Sequence, residues 1–180
     1  MGRYLFLVTA VPSGPPAEVR GRLMSELRAA GLRVINVRVG RHHLEIDARS
    51  DDAGTDAARL RAALGGDVEV VNLDGEEAVT DPFRRFVALF NSERFWEAHE
   101  VLERVWRIDR NELIQGLIVL AAAFAKLQEG SEVGFHRLAR RSMELLWSEQ
   151  RIGCVDLGDV KSGIANAIKS RSPFKIECKN

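Results

Sequence analysis

The residues best suited to chemistry lie in one short stretch, Arg94 to Trp106, which reads RFWEAHEVLERVW. At about 100° per residue its apolar side chains share one face of a helix, and His99 falls on that face, roughly 20° from Trp106. Glu103, one turn after His99, lies at the margin of the face, whereas Glu100 lies further round and Glu97 and Arg104 are predicted to point away. The spacing therefore predicts a His–Glu pair bordering the core. The apolar members of the face are Phe95, Ala98, Leu102, Val105 and Trp106.

Metal chemistry is the first function that this motif could serve. Residues 99–103 read HEVLE, one letter from the HExxH of zinc peptidases, in which two histidines one turn apart bind the metal and the glutamate activates water. Glu103 stands in place of the second histidine, and His136 or Glu132 are the candidates for a further ligand. No glutamate lies three residues before His99 or His136, as a di-iron bundle would require. Two ligands do not make a site, so the metal and any other cofactor stay unknown.

Two interpretations without a metal remain open. In the first, Glu103 accepts a hydrogen bond from His99 and Gln115 satisfies another buried donor, so the motif is a structural lock between helices. In the second, the motif lines a partly buried pocket for a small ligand or for hydrolytic chemistry, with His99 as the proton carrier and Glu103 orienting it. The full set of predicted site residues is His99, Glu103 and Glu100 as catalytic groups and Gln115, Lys126, Trp96 and Trp106 as ligand-binding groups.

The same stretch carries a resemblance to a known family. FNSERFWEAHEVLERVW, with the later ELIQGLIVLAAAFAKLQEGSEVGFHRLARRSMELL, resembles the domain-of-unknown-function family numbered 309 over about residues 83 to 147. The resemblance rests on Asn91, Trp106, Gly134, the EAHEVLE segment and the QGLI…AAA segment. It implies a compact all-α domain of prokaryotic type with no established activity. The polar positions that it implies are Glu97, His99, Glu100, Glu103 and Gln115, whereas Ala125-Lys126 stands where the family often has a histidine.

The remaining helices of the second half follow from capping and periodicity. Asp81-Pro82 has the order that starts a helix, and Ser92 is predicted to cap the helix that carries the motif. Asp109 with Glu112 reads as a capping box before a central, largely apolar helix, and Ser131 caps the next one. Residues 79–180 are therefore predicted to be an all-α domain of about five helices, after a linker at 74–77 and a boundary near residue 78.

The first half, residues 1–78, predicts the element order βαββαβ. That order indicates a ferredoxin-like sandwich, so the whole chain is predicted to be α+β. A turn at Gly40-Arg41 would pair Val39 with His42 and Ile35 with Ile46, giving one apolar face. The other face of the third strand would carry acidic and histidine side chains where an RNA-recognition surface needs stacking aromatics. A metal carrier would need a CxxC pair, and this half has no cysteine.

Composition limits the partners. The 180 residues include 26 basic and 26 acidic side chains, a balance that argues against nucleic-acid and anionic-membrane binding. The longest apolar run, residues 117–125, is about half of a membrane span. Cys154 and Cys178 are expected to be free thiols of a cytoplasmic protein. The expected partner is a small molecule; the alternative is a non-catalytic assembly module that forms homo-oligomers or binds proteins through its sheet or helix faces.

Overall fold

A computed structural model describes residues 1–75, 79–148 and 150–179. The chain divides into two compact units, unit 1 with Met1–Glu77 and Gln128–Gly130, and unit 2 with Ala78–Leu127 and Ser131–Asn180. The fold is α+β, as predicted: a four-stranded antiparallel sheet with two helices, followed by a helical region. The predicted boundary near residue 78 lies outside the described residues.

Unit 1 is built around the sheet, whose strand order is β2-β3-β1-β4. Its apolar face packs Phe6, Val37 and Ile46 against buried leucines of the two helices, such as Leu23 and Leu60. The finer ferredoxin-like assignment stays a proposal. The elements of the unit are β1 (Gly2–Thr9), α1 (Pro16–Ala29), β2 (Arg33–Val39), β3 (His43–Ser50), α2 (Ala53–Leu64) and β4 (Val68–Asn72).

The predicted register of the β2–β3 hairpin is wrong by two residues. Val39 pairs with Leu44 instead of His42, and the Gly40 amide donates to the His43 carbonyl, so that His42 is exposed in the turn. A shift of two residues leaves every side chain on its predicted face, because side chains alternate with a period of two. An irregularity between Val34 and Asn36 then reverses the alternation, burying Val34 and leaving Ile35 40% exposed.

Unit 2 wraps four helices around the central one. The central helix buries Ile114, Leu117, Leu120 and Phe124, as its nearly uniform apolar sequence predicted. Within the described ranges no helix is long and apolar enough to cross a membrane. The helices of the unit are α3 (Pro82–Asn91), α4 (Phe95–Asp109), α5 (Glu112–Gln128), α6 (Glu132–Leu145) and α7 (Leu157–Ser170).

Two features correct the all-α prediction for this unit. A two-stranded hairpin, β5 (Arg151–Ile152) and β6 (Val155–Asp156), precedes α7, and Val155 forms an isolated bridge with Cys178. That bridge brings together two cysteines that are distant in sequence. Cys154 and Cys178 form a disulfide and are not the free thiols that the sequence predicted.

Candidate functional site

Helix α4 positions the motif, and both of its ends are defined by the backbone. Arg94 precedes its first turn, and Arg110 ends it in the left-handed conformation, with its amide donating to the Trp106 carbonyl at 2.8 Å. Ser92 does not cap α4 as predicted. Its hydroxyl donates back to the Ala88 carbonyl, so it closes α3 instead. Buried Phe95, Ala98 and Leu102 fix the rotation of α4, as the periodicity predicted.

His99 lies at the edge of this buried face, with its side chain 20% exposed. Its ring stacks in parallel on Trp96, with centroids 5.1 Å apart and planes 5° apart. Its Nδ1 lies 3.3 Å from Glu100 Oε1, although this close contact lacks the alignment of a hydrogen bond and Nδ1 has no other hydrogen-bond partner in the described part of the chain. A carboxylate facing Nδ1 favours the tautomer with its proton there, which leaves the Nε2 lone pair for a ligand.

Glu103 is not the orienting partner of His99 that the sequence predicted. Its carboxylate faces the next turn of the helix, with Oε1 at 3.5 Å from Nε of Arg107, and Glu100 contacts the imidazole instead. Helical spacing accounts for the Glu103–Arg107 contact, since i,i+4 neighbours share a face, but it does not predict the contact between the sequence neighbours His99 and Glu100. The three acid/base candidates therefore form two separate contacts along one helix.

Glu97 is the residue that the sequence misplaced. Predicted to point away from the core, it is 6% exposed, and Arg94 NH2 donates to its Oε2 at 2.7 Å while Arg94 Nε donates to its other oxygen. A bidentate contact to a guanidinium is the usual way for a carboxylate to be buried. The signal available in the sequence was the arginine three residues earlier, at a spacing that brings side chains together on a helix.

The predicted ligand-binding residues fall into separate places. Trp106 is partly buried, with the Arg110 guanidinium 4.3 Å above its ring, and Trp96 carries His99. Gln115 and Lys126 are partly buried on α5. Eleven residues of α-helix span roughly 16 Å, so one small ligand would reach only one of this pair. Their roles, like those of the other predicted site residues, stay predictions.

The proposed additional metal ligands do not join the motif. His136 packs edge-on against the ring of Phe135, and Glu132 is exposed and pairs with Arg171 at 3.3 Å. Across residues 1–75, 79–148 and 150–179, no group of three or more His, Cys, Asp or Glu side chains is placed to hold a metal ion.

Two surface cavities lie away from α4. The larger, of about 890 Å³, runs along α6 between Val133 and Glu144. The smaller, of about 200 Å³, is polar and lies in unit 1 between the end of β3 and the start of α2.

Unit 1 carries its own polar cluster on the face of the sheet opposite its helices. Asp47 accepts two hydrogen bonds from Arg3, at 3.0 and 2.7 Å, and Arg38 NH1 lies 3.7 Å from Glu45. His43 Nε2 lies 3.5 Å from the same Glu45. The sequence predicted acidic and histidine side chains on this face of the third strand, and because Arg38, Glu45 and Asp47 are all buried, they form an internal ion-pair network.

Comparison with known families assigns the region that holds the motif. Residues 83–138 match the family model described as Domain of unknown function (DUF309). The chain contains a DUF309 domain. This confirms the resemblance, and the DUF309 domain spans α3, α4, α5 and the first half of α6, including His99, Glu103 and Gln115. No family model matches the N-terminal region. No curated protein and no solved structure matches the chain.

Proposed function

We propose that the DUF309 domain binds a small polar ligand at the surface formed by Trp96, His99 and Glu100, here named the His99 surface. The observation that carries this proposal is the orientation of the imidazole, which stacks on Trp96 and presents Nδ1 to Glu100 at 3.3 Å. Ring stacking and a carboxylate contact hold the imidazole in one orientation, and such preorganisation is what a binding or catalytic histidine needs.

The chemistry follows from the free nitrogen. Nε2 would accept a hydrogen bond from a ligand hydroxyl, amide or water, and in a hydrolytic reaction it would take the proton of the attacking water. Glu100 would then stabilise the imidazolium that forms, which is the role of a carboxylate beside a catalytic histidine. Glu103 and Trp106, one and two turns further along α4, extend the surface, and Gln115 or Lys126 would contact only a ligand that reaches across to α5.

Ligand-observed NMR with a fragment library of defined composition tests the proposal. The expected result is a set of fragments whose saturation-transfer signals persist with wild type and with His136→Ala but disappear with His99→Ala. His136→Ala is the matched control, because it removes an imidazole of similar burial from α6 of the same unit. Equal binding to the His99→Ala variant would contradict the proposal, provided that its amide spectrum shows an intact fold.

A second candidate function is protein interaction, in which the motif on α4 is structural. Its supporting observation is the groove along α6, where Val133 is 82% exposed and Arg137, Arg140 and Arg141 line the same face. Arg141 is paired with Glu144, whereas Arg137 and Arg140 have no ion pair among the described residues. This face suits an acidic protein segment. A glutamate-rich amphipathic peptide should bind wild type in fluorescence anisotropy and lose affinity for the Arg137→Glu/Arg140→Glu variant; equal affinity would reject this candidate.

We also infer a ferredoxin-like sandwich for residues 1–78, supported by the element order βαββαβ and by the inner position of β1 and β3 in the sheet. Placement of the protein in the cytoplasm is a further proposal. The Cys154–Cys178 disulfide argues against a permanently reducing compartment, because disulfides are rare in the cytosol unless they serve redox chemistry. Cell fractionation combined with thiol trapping would decide between the cytoplasm and an oxidising compartment.

A further inference from the structure

The C-terminal segment of residues 172–179, here named the strap, is held to unit 2 by three kinds of contact. From this arrangement we infer that the Cys154–Cys178 disulfide is a site of thiol–disulfide exchange that controls whether the strap stays docked. The substrate class that the site would take is a dithiol reductant. Nothing in this inference depends on a ligand at His99.

The first contact is made by Asn91, the last residue of α3. Its side-chain amide donates to the Ile176 carbonyl at 2.8 Å, and its side-chain oxygen accepts from the Ile176 amide at 2.9 Å. Lys175 Nζ donates to the main-chain carbonyl of Asn91. The Asn91 side chain thus makes the two backbone hydrogen bonds that a neighbouring β-strand would make with the strap. Its position, four residues before Phe95 begins α4, joins the strap to the turn that leads into the motif helix.

The second contact is apolar. Phe174 packs with its ring centroid 5.6 Å from that of Phe90 and 6.0 Å from that of Phe124, and Ile176 is buried. Gly163 on α7 leaves the space for this ring, because a Cβ there would lie 2.3 Å from Phe174. The strap therefore covers aromatic side chains of the DUF309 domain.

The third contact is at the disulfide itself. The Lys179 amide donates to the Cys154 carbonyl at 2.9 Å, and Lys179 Nζ lies 3.0 Å from Asp156. Lys179 Nζ also lies 2.5 Å from Asp159, and these partly exposed ion pairs contribute little stability. The disulfide is the one covalent tie, and it keeps the end of the strap at a high effective concentration beside its docking surface.

The exchange reaction runs in two steps. A thiolate of the reductant attacks the sulfur of Cys178, the more exposed of the two cysteines, forming a mixed disulfide while Cys154 leaves as a thiolate. The second thiolate of the reductant then attacks the reductant's first sulfur in the mixed disulfide and releases the Cys178 thiolate. Two electrons pass from the reductant, which becomes a disulfide, to the protein, which gains two thiols. The strap is then held by noncovalent contacts alone and opens.

Hydrogen exchange of the Ile176 and Lys179 amides, both of which donate within the fold, measures this opening. We expect reduction with dithiothreitol to accelerate their exchange at least tenfold in the full-length protein, with the amides of β1 and β3 as the internal reference. A Cys154→Ser/Cys178→Ser variant should exchange at the fast rate with or without reductant. Gly163→Ala, which displaces Phe174 while keeping both cysteines, should accelerate exchange of the Ile176 amide even in the oxidised protein.

Two results would overturn the inference. One is full alkylation of both cysteines in protein purified without reductant and exposed to air, which would mean that the disulfide does not form. The other is equal exchange of these amides before and after a reduction verified by mass, which would mean that the noncovalent contacts alone hold the strap.

Discussion

At the scale of single residues, the chain offers a matched pair of ion pairs that differ in burial. Arg94–Glu97 and Arg141–Glu144 both join an arginine to a glutamate three residues later, but Glu97 is 7% exposed at its side chain and Glu144 is 65% exposed. Removing one partner of a buried pair leaves an uncompensated charge, whereas an exposed pair exchanges its partner for water.

We therefore predict that Glu97→Ala lowers the free energy of unfolding by about 3 kcal/mol, and that Glu144→Ala changes it by less than about 0.5 kcal/mol. Urea denaturation followed by tryptophan fluorescence measures both values. An equal loss of unfolding free energy in the two variants would mean that the Glu97 carboxylate is solvated, and that its ion pair with Arg94 does not stabilise the fold.

A second residue-scale prediction separates the two carboxylates beside His99. Because Glu100, and not Glu103, faces Nδ1, Glu100→Gln should change the ratio of the neutral imidazole tautomers, whereas Glu103→Gln should leave it as in wild type. Long-range ¹H–¹⁵N correlation spectra of the imidazole ring, recorded with the ring neutral, give the ratio directly. A change of the tautomer ratio in the Glu103→Gln variant alone would show that Glu103, as the spacing predicted, is the carboxylate that orients His99.

The site could be predicted from the sequence only in part, and the reason is physical. Helical periodicity placed His99 at the border of the core because Phe95, Ala98 and Leu102 determine which face of α4 is buried. It misplaced Glu97, because periodicity gives the direction of a side chain on one helix and not what covers it. The Arg94 guanidinium neutralises the charge and makes burial possible.

At the scale of the elements, helix caps show the same limit. Asp81 and Ser131 cap their helices as predicted, each accepting from the amide three residues on. Asp109 was predicted to open α5 but is the last residue of α4, and Asn111 accepts from the Leu113 amide instead. The left-handed Arg110 separates the two helices and moves the cap by two residues. Several polar residues near one boundary are equivalent in sequence, and the backbone decides among them.

These caps predict an acid sensitivity. The Arg84 amide holds the pKa of Asp81 below its ordinary 3.8, and the Thr55 and Asp159 amides lower the pKa values of Asp52 and Asp156 in the same way. A carboxylate with a lowered pKa in the folded state stabilises the fold above the unfolded pKa and loses that contribution as the pH falls through the folded pKa. Stability should therefore decrease between about pH 4 and pH 2.

The variant Asp81→Asn tests this, because asparagine is an equally good cap that does not titrate. Its stability should fall less steeply than that of wild type over this pH range, as measured by urea midpoints at each pH. Asp81→Ser, a second cap that does not titrate, should behave alike. Slopes equal to that of wild type would show that the Asp81 carboxylate does not contribute to the acid transition.

The β2–β3 hairpin provides the remaining prediction at this scale. Hydrophobic alternation correctly predicted which face of β3 is apolar, but it could not detect the irregularity that buries Val34 and exposes Ile35. Val34→Thr should cost about 1 to 2 kcal/mol, because it buries a hydroxyl, and Ile35→Thr should cost less than about 0.5 kcal/mol. Thermal or urea unfolding of unit 1 measures both costs. A larger cost for Ile35→Thr than for Val34→Thr would mean that β2 alternates regularly, without the irregularity.

At the scale of the whole molecule, the α+β class and the order of the elements of unit 1 could be predicted because they depend on local signals, namely strand alternation, helical periodicity and turn residues. The disulfide could not. Cys154 and Cys178 are 24 residues apart with no framework of other cysteines, and only the bridge between Val155 and Cys178 brings their backbones together. Long-range pairings of this kind depend on how α7 returns the chain, which no local pattern encodes.

The disulfide also makes the last prediction, which concerns global stability. Closing a loop of this separation should stabilise unit 2 by about 3 kcal/mol through the lost entropy of the unfolded chain. All three tryptophans, Trp96, Trp106 and Trp147, belong to unit 2, so their fluorescence in urea reports its unfolding alone. Reduction should lower the midpoint of that transition in wild type and leave it unchanged in Cys154→Ser/Cys178→Ser. If the wild-type midpoint stays unchanged although thiol formation is verified, then either the noncovalent contacts of the strap persist in the unfolded ensemble or the loop is already restricted there. In both cases the explanation of the stabilisation by lost chain entropy would be wrong.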